Sequence, residues 1–144
     1  MSGLLLGTKA LKGLIAGDAV FSSWLEARGS EVVHASLASV ALLMACAEAM
    51  TNVANRRAWI ERLSEDIPAT FGPRLHGFDL AAAKQWSAVR AGLTSVDAIE
   101  ECDLFVVAVA LAQDLDYVAP REEWHNAIND LRQHDPWASK SYPT

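Results

Sequence analysis

The densest collection of groups able to do chemistry in this chain is acidic: Asp97, Glu100, Glu101 and Asp103. Carboxylates packed this closely offer the oxygen ligands that hard divalent cations take. They also stand directly before the apolar run "LFVVAVALA", where a helix would begin, and acids in a first turn complement the helix dipole. Asp97 and Glu100 have the spacing of a capping box. The group is therefore either the start of a helix or a metal site marked by Asp103 and Glu100.

A second candidate lies at the other end of the chain. In "LLLGTK" an apolar run stops at Gly7-Thr8-Lys9, as a strand does where it presents a reactive group at a sheet edge. Gly7 has no side chain, however, and a lysine ammonium cannot hold a metal. The order Gly-Thr-Lys is also wrong for a phosphate loop, which needs Gly-Lys-Ser/Thr after an earlier glycine at fixed spacing. What remains is a strand-to-helix turn pivoting on Gly7.

Other reactive residue types form no constellation. His34, His76, His125 and His134 show no metal-ligand spacing. Ser22, Ser23, Ser36 and Ser39 lack the flanking glycines of a nucleophile elbow. The five tryptophans fall at helical or terminal positions that suit packing. Cys46 and Cys102 sit in apolar stretches without C-x-x-C spacing, which predicts buried free thiols in an intracellular protein.

Composition narrows the classes further. The 144 residues carry a net charge of −6, against the clustered Lys and Arg of a generic nucleic-acid binder. The longest basic cluster, Asn55-Arg56-Arg57, suits an ordinary helix surface. The apolar run 32–47 is short for a membrane span, contains His34 and is bounded by Glu31 and Glu48, so it is expected in the core. No signal-peptide pattern, repeat or long linker is visible, and a single cytoplasmic domain over 1–144 is expected.

The elements that must position these groups alternate. Short apolar or β-branched strands are expected at 4–6, 32–35, 75–78 and 116–119. Helices are expected at 19–27, 37–50, 55–71, 80–93 and 98–113, with those at 37–50 and 98–113 largely buried. Gly29, Gly72-Pro73 and Pro120 supply stops. Strands alternating with helices predict an α/β fold of three layers, with a central, mostly parallel sheet covered on both faces.

This order resembles the PIN-domain family, in particular the VapC-like toxins of bacterial toxin–antitoxin pairs. "LLLGTKALKGLIAG…AVFSSWLEA" is similar to that family's first strand, two-helix entry and Trp-Leu helix. "HASLASVALLMA" resembles the strand-to-helix passage that follows, and "RLHGFDLAAAKQWSAVRAGL" the third strand, Phe-Asp turn and Ala-rich helix. "CDLFVVAVALAQDLDYVAP" matches the Asp-headed core helix and fourth strand, and "HDPW" the terminal Asn-Pro-Trp.

The resemblance implies a metal-dependent ribonuclease ancestry, in which convergent carboxylates hold Mg or Mn ions that activate water on RNA. Position by position, the chain departs from that pattern. The first Asp corresponds to Gly7, and the helix Glu to Ala41, or to Leu42 in a register one residue along. Asp103 matches the core-helix acid. The acid after the fourth strand falls at Arg121 or Trp124, beside Glu122 and Glu123. The expectation is a pseudo-nuclease with no cofactor, Asp103 its vestigial catalytic acid, acting as a homodimer or with a small antitoxin-like protein. The alternative is an active Mg-dependent endoribonuclease, with Mg or Mn held by Asp103 and Glu100 and by rearranged acids such as Glu122 or Asp18. Phe21, Trp24 and Leu25 are expected to be exposed and to feed a homodimer or partner groove.

Overall fold

The computed structural model describes residues 3–29, 31–93 and 99–138. β1 (Leu4–Leu6) is fully buried and runs down the middle of the sheet. Gly7 ends it and caps α1 (Thr8–Ala16), which closes on Gly17 in the left-handed conformation (φ 76°) that glycine adopts at least cost. Asp18 then starts α2 (Ala19–Arg28) by accepting the N–H of Phe21 at 2.9 Å. β2 (Val33–Ser36) leads into α3 (Leu37–Glu48), whose cap is the Ser36 hydroxyl accepting the N–H of Ala38.

A single helix was expected over 55–71. Instead α4 (Val53–Glu61) passes through a π-helical stretch (Arg62–Asp66) into α5 (Ile67–Phe71). Pro68 has no N–H to donate, so the regular ladder loosens just ahead of it. A 3₁₀ turn (Gly72–Arg74) and β3 (Leu75–His76) follow, then α6 (Leu80–Gly92), capped by Asp79. After α7 (Glu101–Ala112) come β4 (Asp116–Val118), a 3₁₀ turn (Glu123–Ala127) and β5 (Gln133–His134). Asp97, read as a cap of the core helix, and Ala98, its expected first residue, lie outside the described residues.

Every strand pair is parallel, in the order β3-β2-β1-β4-β5. Strand alternation separates two cores. Leu4, Leu6 and Val118 face α1, α2, Leu43 of α3 and Leu63, while Leu5, Tyr117 and Ala119 face α6 and α7. The result is the expected three-layer α/β/α arrangement. β5 was not anticipated, because two residues without an apolar run leave no period to read. It is held by Arg132 and His134, which reach the Asp116 carboxylate at 2.6 and 2.9 Å. Among the described residues, no helix is long and apolar enough to cross a membrane.

Three burial expectations need correction. α7 is buried as expected, from Val106 through Ala110. α3 is not: Ser39, Val40, Leu43 and Ala47 face inward, while Leu37, Ala41, Ala45 and Cys46 are exposed. An apolar helix on the flank of one chain has only one face to bury, and this one leaves its other face to solvent. For the same reason Cys46 is an exposed thiol, and Cys102 is half-buried. Phe21 is fully buried, stacked between Trp24 and Trp137 at centroid distances of 6.3 and 5.9 Å, so it cannot feed a docking surface. Trp24 and Leu25 are partly buried against the same core.

Candidate functional site

The chain reverses direction across the sheet between β1 and β4. β1 connects through α1 and α2 to β2 on one side, whereas β4 arrives from the other half of the chain. In open parallel sheets this switch leaves a crevice beyond the carboxyl ends of the strands. A cleft of about 620 Å³ lies there. Its lining divides into two walls. Lys9 and Lys12 of α1 and Leu42, Leu43 and Cys46 of α3 form one, and Glu100, Asp103, Tyr117 and Glu122 form the other.

Gly7 is buried where the walls meet. Its N–H donates to the Val118 carbonyl at 2.8 Å, continuing the β1–β4 ladder by one residue. Beside it the Thr8 hydroxyl donates to the Ser39 hydroxyl at 3.2 Å, tying α1 to α3. Lys9 lies with its ammonium 4.6 Å from the centroid of Trp137, a cation–π contact at the mouth of the cleft. Of the two positions aligned with the helix acid, Leu42 lines the cleft and Ala41 does not. An apolar side chain therefore stands on α3 where the resemblance expects a carboxylate.

Asp103 is half-buried, in the first turn of α7. Its pKa is pushed up to about 6, first by burial and then by the nearby charges of Glu122 and Glu100. Tyr117, 1% exposed, has its phenol raised far above the ordinary value by burial, reinforced by the charges of Asp103 and Glu122. Glu122 sits on a loop fastened from beneath. Its N–H donates to His125 Nδ1 at 3.0 Å, which leaves the proton of the neutral ring on Nε2. His125 is buried, and that burial pushes its pKa down to about 4.

Glu100, Asp103 and Glu122 thus share one cleft. Among the described residues, however, no three His, Cys, Asp or Glu side chains are grouped closely enough to hold a metal ion. Asp18 also lines the cleft, but its carboxylate is the cap of α2, and the Phe21 N–H holds its pKa below the usual carboxylate range. Arg121 is exposed, its N–H donating to Asp135 at 2.9 Å, and Trp124 is packed into the α6–α7 core. Glu122 is the acid of that region that reaches the cleft. The donor set does not fit a pair of divalent ions, each needing six or more oxygen ligands.

Sequence reading missed Tyr117 as a site residue. The signal lay in strand alternation: Tyr117 is paired with Leu5, so it shares a face with Gly7, two residues along. The register that reveals this is a tertiary fact.

A helix-flanked parallel sheet with a cleft at the β1–β4 switch defines the class, and the fold is that of VapC-like PIN domains. Solved structures of that kind match nearly the whole chain. With FitAcB from Neisseria gonorrhoeae it shares 23% identity over 93% of this chain and 98% of that one, at a TM-score of 0.77. With VapBC2 from Rickettsia felis, solved bound to a DNA fragment from their promoter, it shares 18% identity over 92% and 97%, at 0.69. With a toxin-antitoxin complex from Klebsiella pneumoniae it shares 16% identity over 94% and 98%, at 0.63. No family model and no curated protein matches the chain.

Proposed function

We propose that this chain is the PIN-fold member of a toxin–antitoxin type pair that has lost metal-dependent ribonuclease activity and acts through protein contacts. One observation carries the reading: the wall that should supply two of the acids supplies Gly7 and Leu42, with Lys9 beside them. A single half-buried Asp103, its pKa raised first by burial and then by the charges of Glu122 and Glu100, binds a divalent ion poorly alone. The toxin–antitoxin character of its structural neighbours supports a small antitoxin-like partner. Exposed apolar side chains, among them Leu37, Phe78 and Leu80, supply surface for that partner or for a second copy of the chain.

A second reading has its own observation. Glu100, Asp103 and Glu122 line the same cleft, so a modest closure of the loop after β4 gathers three carboxylates for Mg or Mn. The two readings separate in one experiment: calorimetric titration of Mn into the protein, beside a ribonuclease assay with and without chelator. The pseudo-nuclease shows no saturable heat and no chelator-sensitive cleavage. Chelator-sensitive cleavage that disappears in Asp103→Asn establishes the enzyme instead.

A further inference from the structure

We propose that β4 closes the end of β1 against any side chain, with the Tyr117 ring as the plug, so that restoring acids around the cleft does not restore a metal site. This rests on the pseudo-nuclease reading and deepens it: the site is filled as well as depleted.

The geometry at Gly7 is the ground for it. A Cβ added there would lie 2.9 Å from the Val118 carbonyl oxygen, 3.0 Å from the Ala119 Cβ and 3.1 Å from Tyr117 Cε1. The first is backbone committed to a ladder hydrogen bond from Gly7 itself, and the second is a side chain with no rotamer to change. The third belongs to a ring with nowhere to turn. Tyr117 is 1% exposed, paired with Leu5 on β1, and meets the His125 ring edge-on at 5.6 Å. His125 is itself pinned by the Glu122 N–H. Close-packed interiors respond to one added carbon by moving backbone or forcing a poor rotamer, and neither is cheap here. Gly77 is the contrast. Its nearest neighbour to an added Cβ is Leu37 Cδ1 at 3.7 Å, an ordinary contact.

An acid at position 7 therefore needs more than the missing carboxylate. The Tyr117 ring has to shrink before a side chain there can point into the cleft, and Leu42 is the α3 position to change with it.

Thermal unfolding and Mn titration of a small variant series test this. Gly7→Ala is expected to lower the melting temperature by roughly 5–10 °C, while Gly77→Ala moves it by about 1 °C or less. In a Tyr117→Val background the Gly7→Ala shift is expected to shrink in part, because the Val118 carbonyl and the Ala119 Cβ stay in place, and in Tyr117→Phe, which keeps the ring, to persist in full. Gly7→Asp with Lys9→Asn and Leu42→Glu should show no saturable Mn binding, and adding Tyr117→Val, which removes one of the three close contacts, should make it measurable. Wild-type melting of Gly7→Ala, or Mn binding by the triple variant with Tyr117 intact, overturns the proposal. So does a Gly7→Ala shift that is the same with valine at 117. If the triple variant does not fold, the alanine melting series still decides. Chelator-sensitive cleavage by the wild type would sink the pseudo-nuclease reading while leaving the melting comparison standing.

Discussion

Across the cleft, the wall built from β1, α1 and α3 differs from the wall built from α7 and the segment after β4 in both charge and packing. On the first wall Leu42 and Leu43 are apolar, Gly7 behind them is bare, and Lys9 and Lys12 bring positive charge, with Asp18 engaged as the cap of α2. On the second wall three carboxylates remain, with no cation among the groups acting on Asp103. On the first, Gly7 packs directly against β4, while the second holds a half-buried acid at an energetic disadvantage. The two walls are thus constrained unevenly. Positions inside the sheet become locked by their neighbours, whereas positions on a helix start, half open to water, can keep an acid at modest cost.

The largest effect should come from the residue joining the walls. Tyr117→Ala removes a fully buried ring between Gly7 and His125 and is expected to destabilise by about 3–5 kcal/mol in denaturant unfolding. A loss below about 1 kcal/mol would mean the walls are not packed through Tyr117.

Next comes His125, whose pKa of about 4 lies below the ordinary 6.5. Between these values the unfolded chain binds the proton and the folded one does not, so stability falls as pH drops through that window. The contribution is about 2–3 kcal/mol, and His125→Gln should flatten the acid limb of the stability profile.

Asp103 acts in the opposite sense. Its folded pKa of about 6 lies above the ordinary 3.8, so the folded state holds the proton between these values and stability falls as pH rises through them. Allowing for solvent at its open side, Asp103→Asn should stabilise by about 1–2 kcal/mol at pH 8 and by nothing measurable below pH 4. The two windows overlap, so the wild-type profile should be flatter there than that of Asp103→Asn, which leaves the His125 slope unopposed. Matching slopes in wild type and Asp103→Asn would show that the acidic wall carries no such strain.

The smallest effect on the single chain tests the outer surface. Leu80, 71% exposed, can become Lys with a stability change within about 0.5 kcal/mol. If its surroundings dock a partner or a second copy, sedimentation should show weakened association at unchanged stability.

Much of the architecture is legible in the residues themselves. Three successive leucines between Gly3 and Gly7 read as a short buried strand, and the run after Asp103 is apolar on every side and so central. Asp18, Ser36 and Asp79 each accept a backbone N–H of the helix that follows, a role their side-chain type permits and the fold assigns. β5 and the π-helical stretch were not legible, because one depends on the hydrogen bonds β4 offers and the other on the donor that Pro68 lacks. Nor was the exposure of α3, since apolar composition tells that a face wants cover and not which side of the fold provides it.

The acids of the site divide along the same line. The sequence by itself determined that position 7 carries no ligand and that Asp103 heads a buried helix, because side-chain chemistry and apolar period are local properties. Only the tertiary structure decided that Leu42 and not Ala41 faces the cleft, that Asp18 serves as a helix cap, and that Tyr117 fills the space beside Gly7. Each depends on strand register and helix rotation, which contacts far apart in the chain set together, so no local window contains them.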